Sequence, residues 1–183
     1  MKKQNTVRLL TPWSRQPEVP WNEYPRPQLR RESFFCLNGQ WDLSRNGESW
    51  GKILVPYPPE STLSGIMRPV GEGDVLVYER GFVLPEGFNR GKVLLHFGAV
   101  DQKCRVWLND RFVGEHEGGY LPFFFDVTQY LQAENRLRVE AEDPLDHDYP
   151  WGKQCRKRVK VSPNTMRPIA RELGEAVEGQ AVL

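Results

Sequence analysis

Carboxylates and a histidine crowd together at Asp143, Asp146, His147 and Asp148. Carboxylate oxygens are the hard ligands that Ca2+ and Mg2+ prefer, so the atoms suit a divalent cation. The spacing is not that of an EF-hand loop, however, and Pro144 and Pro150 mark a surface turn, so no metal is expected. Trp151 follows, and its ring could stack on an apolar ligand face or cover part of the core. Asp101 stands in a loop behind the apolar run that ends at Phe97. Its carboxylate could accept hydrogen bonds from ligand hydroxyls, or bond its own backbone as a turn residue. His116-Glu117 imitates the start of a zinc-binding pair, but no second histidine stands at the required spacing. Arg156-Lys157-Arg158 with Lys160 imitates a nucleic-acid patch; at a formal net charge of +1 it reads as a solvated basic stretch, and no nucleic-acid partner is expected.

The elements that would hold these groups are strands. Arg105-Val106-Trp107-Leu108 alternates, Asn109-Asp110 tolerates the positive φ of a tight turn, and Arg111 to Glu115 resumes an extended pattern. Strands are expected at 39–45, 52–57, 75–84, 92–98, 103–109, 111–116, 122–127 and 136–143, with Asn46-Gly47 a further turn pair. Many short strands at close intervals make a sandwich or a barrel. The expected core includes Trp41, Phe82, Leu95, Phe97, Val106, Leu108, Val113, Phe125, Leu137 and Val139. Trp107 and Phe123 also read as core aromatics, while Phe124 should point outward by alternation. Proline at 12, 17, 20, 25 and 27 makes residues 1–33 an extended arm, and Arg30 to Leu37 could form a helical turn leading into the first strand. Ile169, Leu173, Ala176 and Val177 share one helical face, so 167–178 reads as a short amphipathic helix.

With 183 residues the chain can bury one good core. Its apolar runs fall far short of the ~20 residues a membrane helix needs. Polar residues after Met1-Lys2-Lys3 deny the N-terminus a signal-peptide core. Cys36, Cys104 and Cys155 are widely spaced and odd in number, which reads as reduced thiols in a cytoplasmic protein.

The strand region also carries a series of short motifs. They are Leu37-Asn38-Gly39-Gln40-Trp41, Val55-Pro56, Glu60, Leu63-Ser64-Gly65-Ile66, Tyr78-Glu79-Arg80 and Phe97-Gly98-Ala99-Val100-Asp101. The series continues with Val106-Trp107-Leu108-Asn109, His116-Glu117-Gly118-Gly119-Tyr120, Phe125-Asp126-Val127-Thr128 and Asn135-Arg136-Leu137. In order and spacing over residues 24–154 the chain resembles the N-terminal sugar-binding domain of family 2 glycoside hydrolases, the group of β-galactosidases, β-glucuronidases and β-mannosidases.

The resemblance implies an all-β, jelly-roll sandwich over residues 34–154, behind the arm at 1–33 and ahead of an atypical tail at 155–183. It implies a non-catalytic sugar-binding domain of an enzyme that hydrolyses O-glycosyl bonds. Retaining hydrolysis needs two carboxylates about 5–5.5 Å apart, which the family carries on a barrel of about 250 residues that this chain cannot hold. No catalytic residue and no cofactor are therefore expected; Asn22-Glu23 mimics the family's acid motif but sits in the arm, before any strand. The substrate-binding candidates are Asp101, at the position of a sugar-contacting Asn in the β-galactosidases, with Asp146, His147, Asp148 and Trp151.

After Gln154 the sequence leaves the family pattern, where aromatic residues lead into a closing strand and an immunoglobulin-like domain. A truncated or frame-shifted gene, or a short variant, would give such a tail. The expected partners are carbohydrate in the full enzyme and, through an uncovered sheet edge, a second copy. A stand-alone carbohydrate-binding module and a protein-interaction sandwich are the competing readings.

Overall fold

Alternation in the sequence becomes strand along most of the described chain. A computed structural model describes residues 31–144 together with Pro20, Asn22 and Gln28. Among these residues the strands are β1 (Gly39–Arg45), β2 (Glu48–Val55), β3 (Val75–Phe82), β4 (Leu94–Phe97), β5 (Lys103–Leu108), β6 (Arg111–Glu117), β7 (Phe123–Asp126) and β8 (Asn135–Glu142). One sheet has the order β2-β1-β3-β8-β5-β6, and β4 pairs with β7 in a second. Every pairing is antiparallel. The pairing is also nested: β5 with β6, β4 with β7 and β3 with β8, like a long hairpin folded over so that successive pairs alternate between the sheets.

Two turns set the register. Asn46 and Gly47 have φ of 49° and 83°, and Asn109 and Asp110 have 54° and 64°. Paired positive φ is the hairpin turn whose twist matches its flanking strands. The side chains then lock what the turns begin. Asn109 Nδ2 donates to Asn135 Oδ1 at 3.0 Å and to Tyr130 O at 2.8 Å, tying the β5–β6 turn to the start of β8.

The core follows the period of two. In β8 Leu137, Val139 and Ala141 are buried, and in β5 Cys104, Val106 and Leu108 are. Trp41, Leu43, Ile53 and Leu76 extend the same inner face. Across it lie Leu95, Phe97, Phe123 and Phe125, half-buried, with the Phe97 and Phe123 rings stacked at 4.9 Å. Phe124 points outward and is 59% exposed. At Gly114 a Cβ would lie 2.4 Å from the Phe125 ring, so the packing of β7 against β6 requires a residue without a side chain.

Some expectations need correction. Phe82, Leu95, Phe97, Val113 and Phe125 pack against the core but are half-buried, because among the described residues the second sheet has only two strands to cover them. Trp107 is not core: it lies between the buried Val106 and Leu108, hence on the outer face, with the Arg138 guanidinium 4.8 Å over its ring. Strand β2 starts at Glu48, four residues early, because backbone pairing with β1 continues through a polar, glycine-containing stretch. No helical turn occupies 31–37. The Leu37 carbonyl accepts from Trp41 Nε1 at 2.8 Å and from Arg80 Nη1 at 2.6 Å, and those side-chain bonds hold the segment extended. The helix expected at 167–178, the tail 155–183 and most of the arm 1–33 lie outside the described residues.

Candidate functional site

Among the described residues the two-stranded sheet faces only part of the six-stranded one, and the rest of that inner face lines a cleft of about 540 Å³. Its floor comes from alternate residues of the large sheet, among them Leu76, Tyr78, Leu137 and Val139. One wall is the continuous run from Leu95 to Asp101. Leu37 and Asn38 also line the cleft, pinned there by Arg80, which donates to both carbonyls at 2.6 Å.

Asp101 reaches the cleft through strand register. Lys103 pairs with Glu142, so the residues just before β5 and just after β8 leave the ladder at the same end. Gln102 N–H donates to Glu142 O at 3.2 Å, and Gly118 N–H donates to Gln102 O at 2.7 Å. Asp101 and Asp143 therefore line one end of the cleft together. A Cβ on Gly119 would fall 2.2 Å from Asp101 Oδ1, so this glycine gives the carboxylate its place. Partial burial pushes the Asp101 carboxyl above its ordinary pKa, and the Asp143 charge adds to the rise. Such a group is an acceptor that gains from any donor reaching it. The Asp101-Gln102 peptide bond is cis.

Asp74 also lines the cleft, in a different setting. It is 3% exposed, and its Oδ2 accepts from Gly71 N–H at 2.6 Å. Its Oδ1 meets Arg45 Nε at 2.6 Å and Asn46 Nδ2 at 3.1 Å. Burial works to raise its pKa, but the Gly71 N–H and the Arg45 guanidinium override it and hold the carboxyl below the ordinary range. Nearby, burial pushes the Tyr78 hydroxyl well above its usual pKa, with the Glu60 charge adding to the effect.

The other candidates separate. Asp146, His147, Asp148, Trp151, Glu23 and the basic run 156–160 lie outside the described residues. The His116 ring stacks on Phe123 at 4.0 Å between centroids, a packing role within the inner face. No group of three or more metal-type side chains gathers among the described residues. A larger depression of about 740 Å³ includes Asp42, Glu79, Asp110 and Arg136 in its lining. Much of that charge is already paired, Arg136 with Glu79 at 2.9 Å and Asp42 with Lys52 at 2.8 Å. The partnership of Asp101 with Asp143 went unread in the sequence, where 42 residues separate them. The usable signal was positional: one carboxylate ends the loop before a strand and the other follows a strand that pairs with it.

Comparison with known proteins supplies the context. The profile described as glycosyl hydrolases family 2, sugar binding domain, matches residues 32–147. A β-galactosidase of Thermoanaerobacter pseudethanolicus is 38% identical over 117 residues, which is 62% of this chain and 16% of that protein. A β-glucuronidase of Paenibacillus borealis is 26% identical over 161 residues, 79% of this chain and 26% of that protein. Among solved structures, a Bifidobacterium dentium β-glucuronidase complexed with coumarin-3-O-glucuronide superposes with a TM-score of 0.52 at 26% identity, over 80% of this chain and 26% of that one. The chain thus spans between a sixth and about a quarter of the length of these relatives.

Proposed function

The chain belongs to the sugar-binding domains of family 2 glycosyl hydrolases, and from that premise we propose that Asp101 and Asp143 are its contribution to a glycoside site. The observation that carries this reading is their convergence at one end of an open, largely apolar cleft, with Asp101 held where its proton affinity is raised. A sugar presents hydroxyl donors and apolar ring faces, which suits carboxylate acceptors beside an apolar surface. In a longer glycosidase such a domain lends loop residues to a pocket closed by a catalytic barrel. The chemistry there is O-glycosyl hydrolysis, carried by carboxylates of the barrel rather than of this sandwich. The substrate class is a β-galactoside or a β-glucuronide, the two activities named among its relatives. The nested pairing supports describing the sandwich as a jelly roll. The buried thiol of Cys104 fits a cytoplasmic setting.

The test is a chimera that joins this chain to the catalytic region of the related β-galactosidase. There Asp101→Ala should raise KM or lower kcat about 10-fold, as loss of a hydrogen bond to a charged group implies. Unchanged kinetics would return Asp101 to the status of a turn residue. The chain alone should release no nitrophenol from nitrophenyl β-glycosides.

A further inference from the structure

The turn between β1 and β2 holds a reactive pair. An asparagine followed by glycine can modify itself, because the glycine nitrogen, unshielded by a side chain, can attack the side-chain carbonyl carbon of the asparagine. The chain has two such pairs, Asn38-Gly39 and Asn46-Gly47. Asn46 and Gly47 are both exposed, so water reaches them. Nothing lies within 4 Å of the place a Cβ on Gly47 would occupy. Access does not protect this pair.

What restrains Asn46 is the direction of its side chain. Its Oδ1 accepts from Val75 N–H at 2.8 Å, and its Nδ2 donates to Asp74 Oδ1 at 3.1 Å. Its own N–H donates to Val75 O at 2.9 Å. Asp74 is fixed in turn by Gly71 N–H at 2.6 Å and by Arg45, its ion-pair partner at 2.6 Å. Attack would close a ring of Cγ, Cβ, Cα and the carbonyl carbon of Asn46 with the Gly47 nitrogen. Cγ cannot swing to that nitrogen while both ends of the amide are held at residues 74 and 75.

We propose that Asn46-Gly47 is a self-modification site kept latent by Asp74 and Val75, and that opening of this clamp, rather than unfolding of the domain, sets its rate. Once the clamp opens, the Gly47 nitrogen bonds to Cγ and gives up its proton. The Cγ–Nδ2 bond breaks, and ammonia leaves with that proton to give a succinimide. Water then opens the ring. Cleavage between the nitrogen and Cγ gives aspartate, and cleavage between the nitrogen and the main-chain carbonyl carbon gives isoaspartate. Neither product restores the clamp. Aspartate keeps an acceptor for Val75 but has no donor for Asp74, and it sets two carboxylates within hydrogen-bond distance. Isoaspartate adds a main-chain carbon to a two-residue turn whose paired positive φ fits the β1–β2 register. The hairpin is a one-way switch: local opening is reversible until the ring closes and irreversible after it.

The test follows conversion at residue 46 in the full chain at mildly alkaline pH by peptide mass mapping. Cleavage after Arg45 and Lys52 separates this pair from Asn38-Gly39. Conversion should be at least about 10-fold slower in the folded chain than in urea-unfolded chain, as bonds that include one to a charged group imply. Asp74→Ala should convert severalfold faster than the parent held by urea at the same folded fraction. Equal rates in folded and unfolded chain would overturn the proposal, as would a variant no faster than its urea-matched parent. If Asp74→Ala does not fold, the parent in low urea carries the test. There conversion should follow hydrogen exchange of the Val75 amide, and a rate that follows global unfolding instead would contradict the clamp. Converted chain should melt at a lower temperature than fresh chain; an unchanged melting temperature would sink the one-way switch.

Discussion

Asp74 and Asp101 line the same cleft, and their surroundings push their carboxyl pKa values in opposite directions. Asp74 is buried and satisfied: a backbone N–H and an amide donate to it, and the Arg45 guanidinium stands beside it as its ion-pair partner. Asp101 is exposed, and the charge beside it has the same sign. A carboxylate whose environment favours the charged form serves the fold, since its stabilisation is built in before any ligand arrives. A carboxylate whose environment opposes the charged form leaves that stabilisation to an incoming donor. Asp74 therefore serves the fold, while Asp101 has the setting expected of the recognition role proposed for it.

Their shared floor gives the largest expected effect. Trp41→Ala removes a ring that is 6% exposed, together with its Nε1 bond to Leu37, and should cost about 3–5 kcal/mol by chemical denaturation. A variant as stable as the parent would show that Trp41 does not hold the floor. Asp74→Asn should come next, at about 2–3 kcal/mol, because Arg45 loses its counter-charge and the Gly71 N–H its strong acceptor. Arg45 is 38% exposed and can recover part of its hydration, which keeps the figure below that of a fully buried pair.

Asp101→Asn should do the reverse on a small scale. It removes a repulsion with Asp143 and should leave the melting temperature at pH 7 unchanged or slightly higher. The two sites should also separate by pH. Asp74, with its folded pKa lowered, contributes stability above its ordinary 3.8 that is lost as pH falls through the folded value. Asp101, with its folded pKa raised, favours the fold below 3.8 and loses that contribution as pH rises through its folded value. Stability curves of the two variants against pH should therefore diverge from the parent with opposite sign. Parallel curves would dissolve the distinction between the sites.

The strands were legible because their side chains alternate and their turns announce themselves. Asn46-Gly47 and Asn109-Asp110 hold the positive φ values that their composition implied. The start of β2 was hidden because Glu48 to Gly51 join the ladder through backbone bonds, which carry no mark in residue type. The outward position of Trp107 was masked by its size, although its buried neighbours Val106 and Leu108 fix the phase. Asp101 could be picked out from family likeness. Its pairing with Asp143 follows only from the register of β5 on β8, a tertiary fact. The roles of Asp74 and Gly119 were equally invisible, since each depends on a residue brought close by folding: Arg45 for one and Asp101 for the other.

The division of labour between the two carboxylates is tested most directly by following their side-chain carboxyl carbons through an NMR pH titration of the intact chain. Asp74 should titrate below 3.8 and Asp101 above it, with Asp101 moving toward the ordinary value when Asp143 is replaced by asparagine. Coincident titrations, or an Asp101 indifferent to Asp143, would contradict the account.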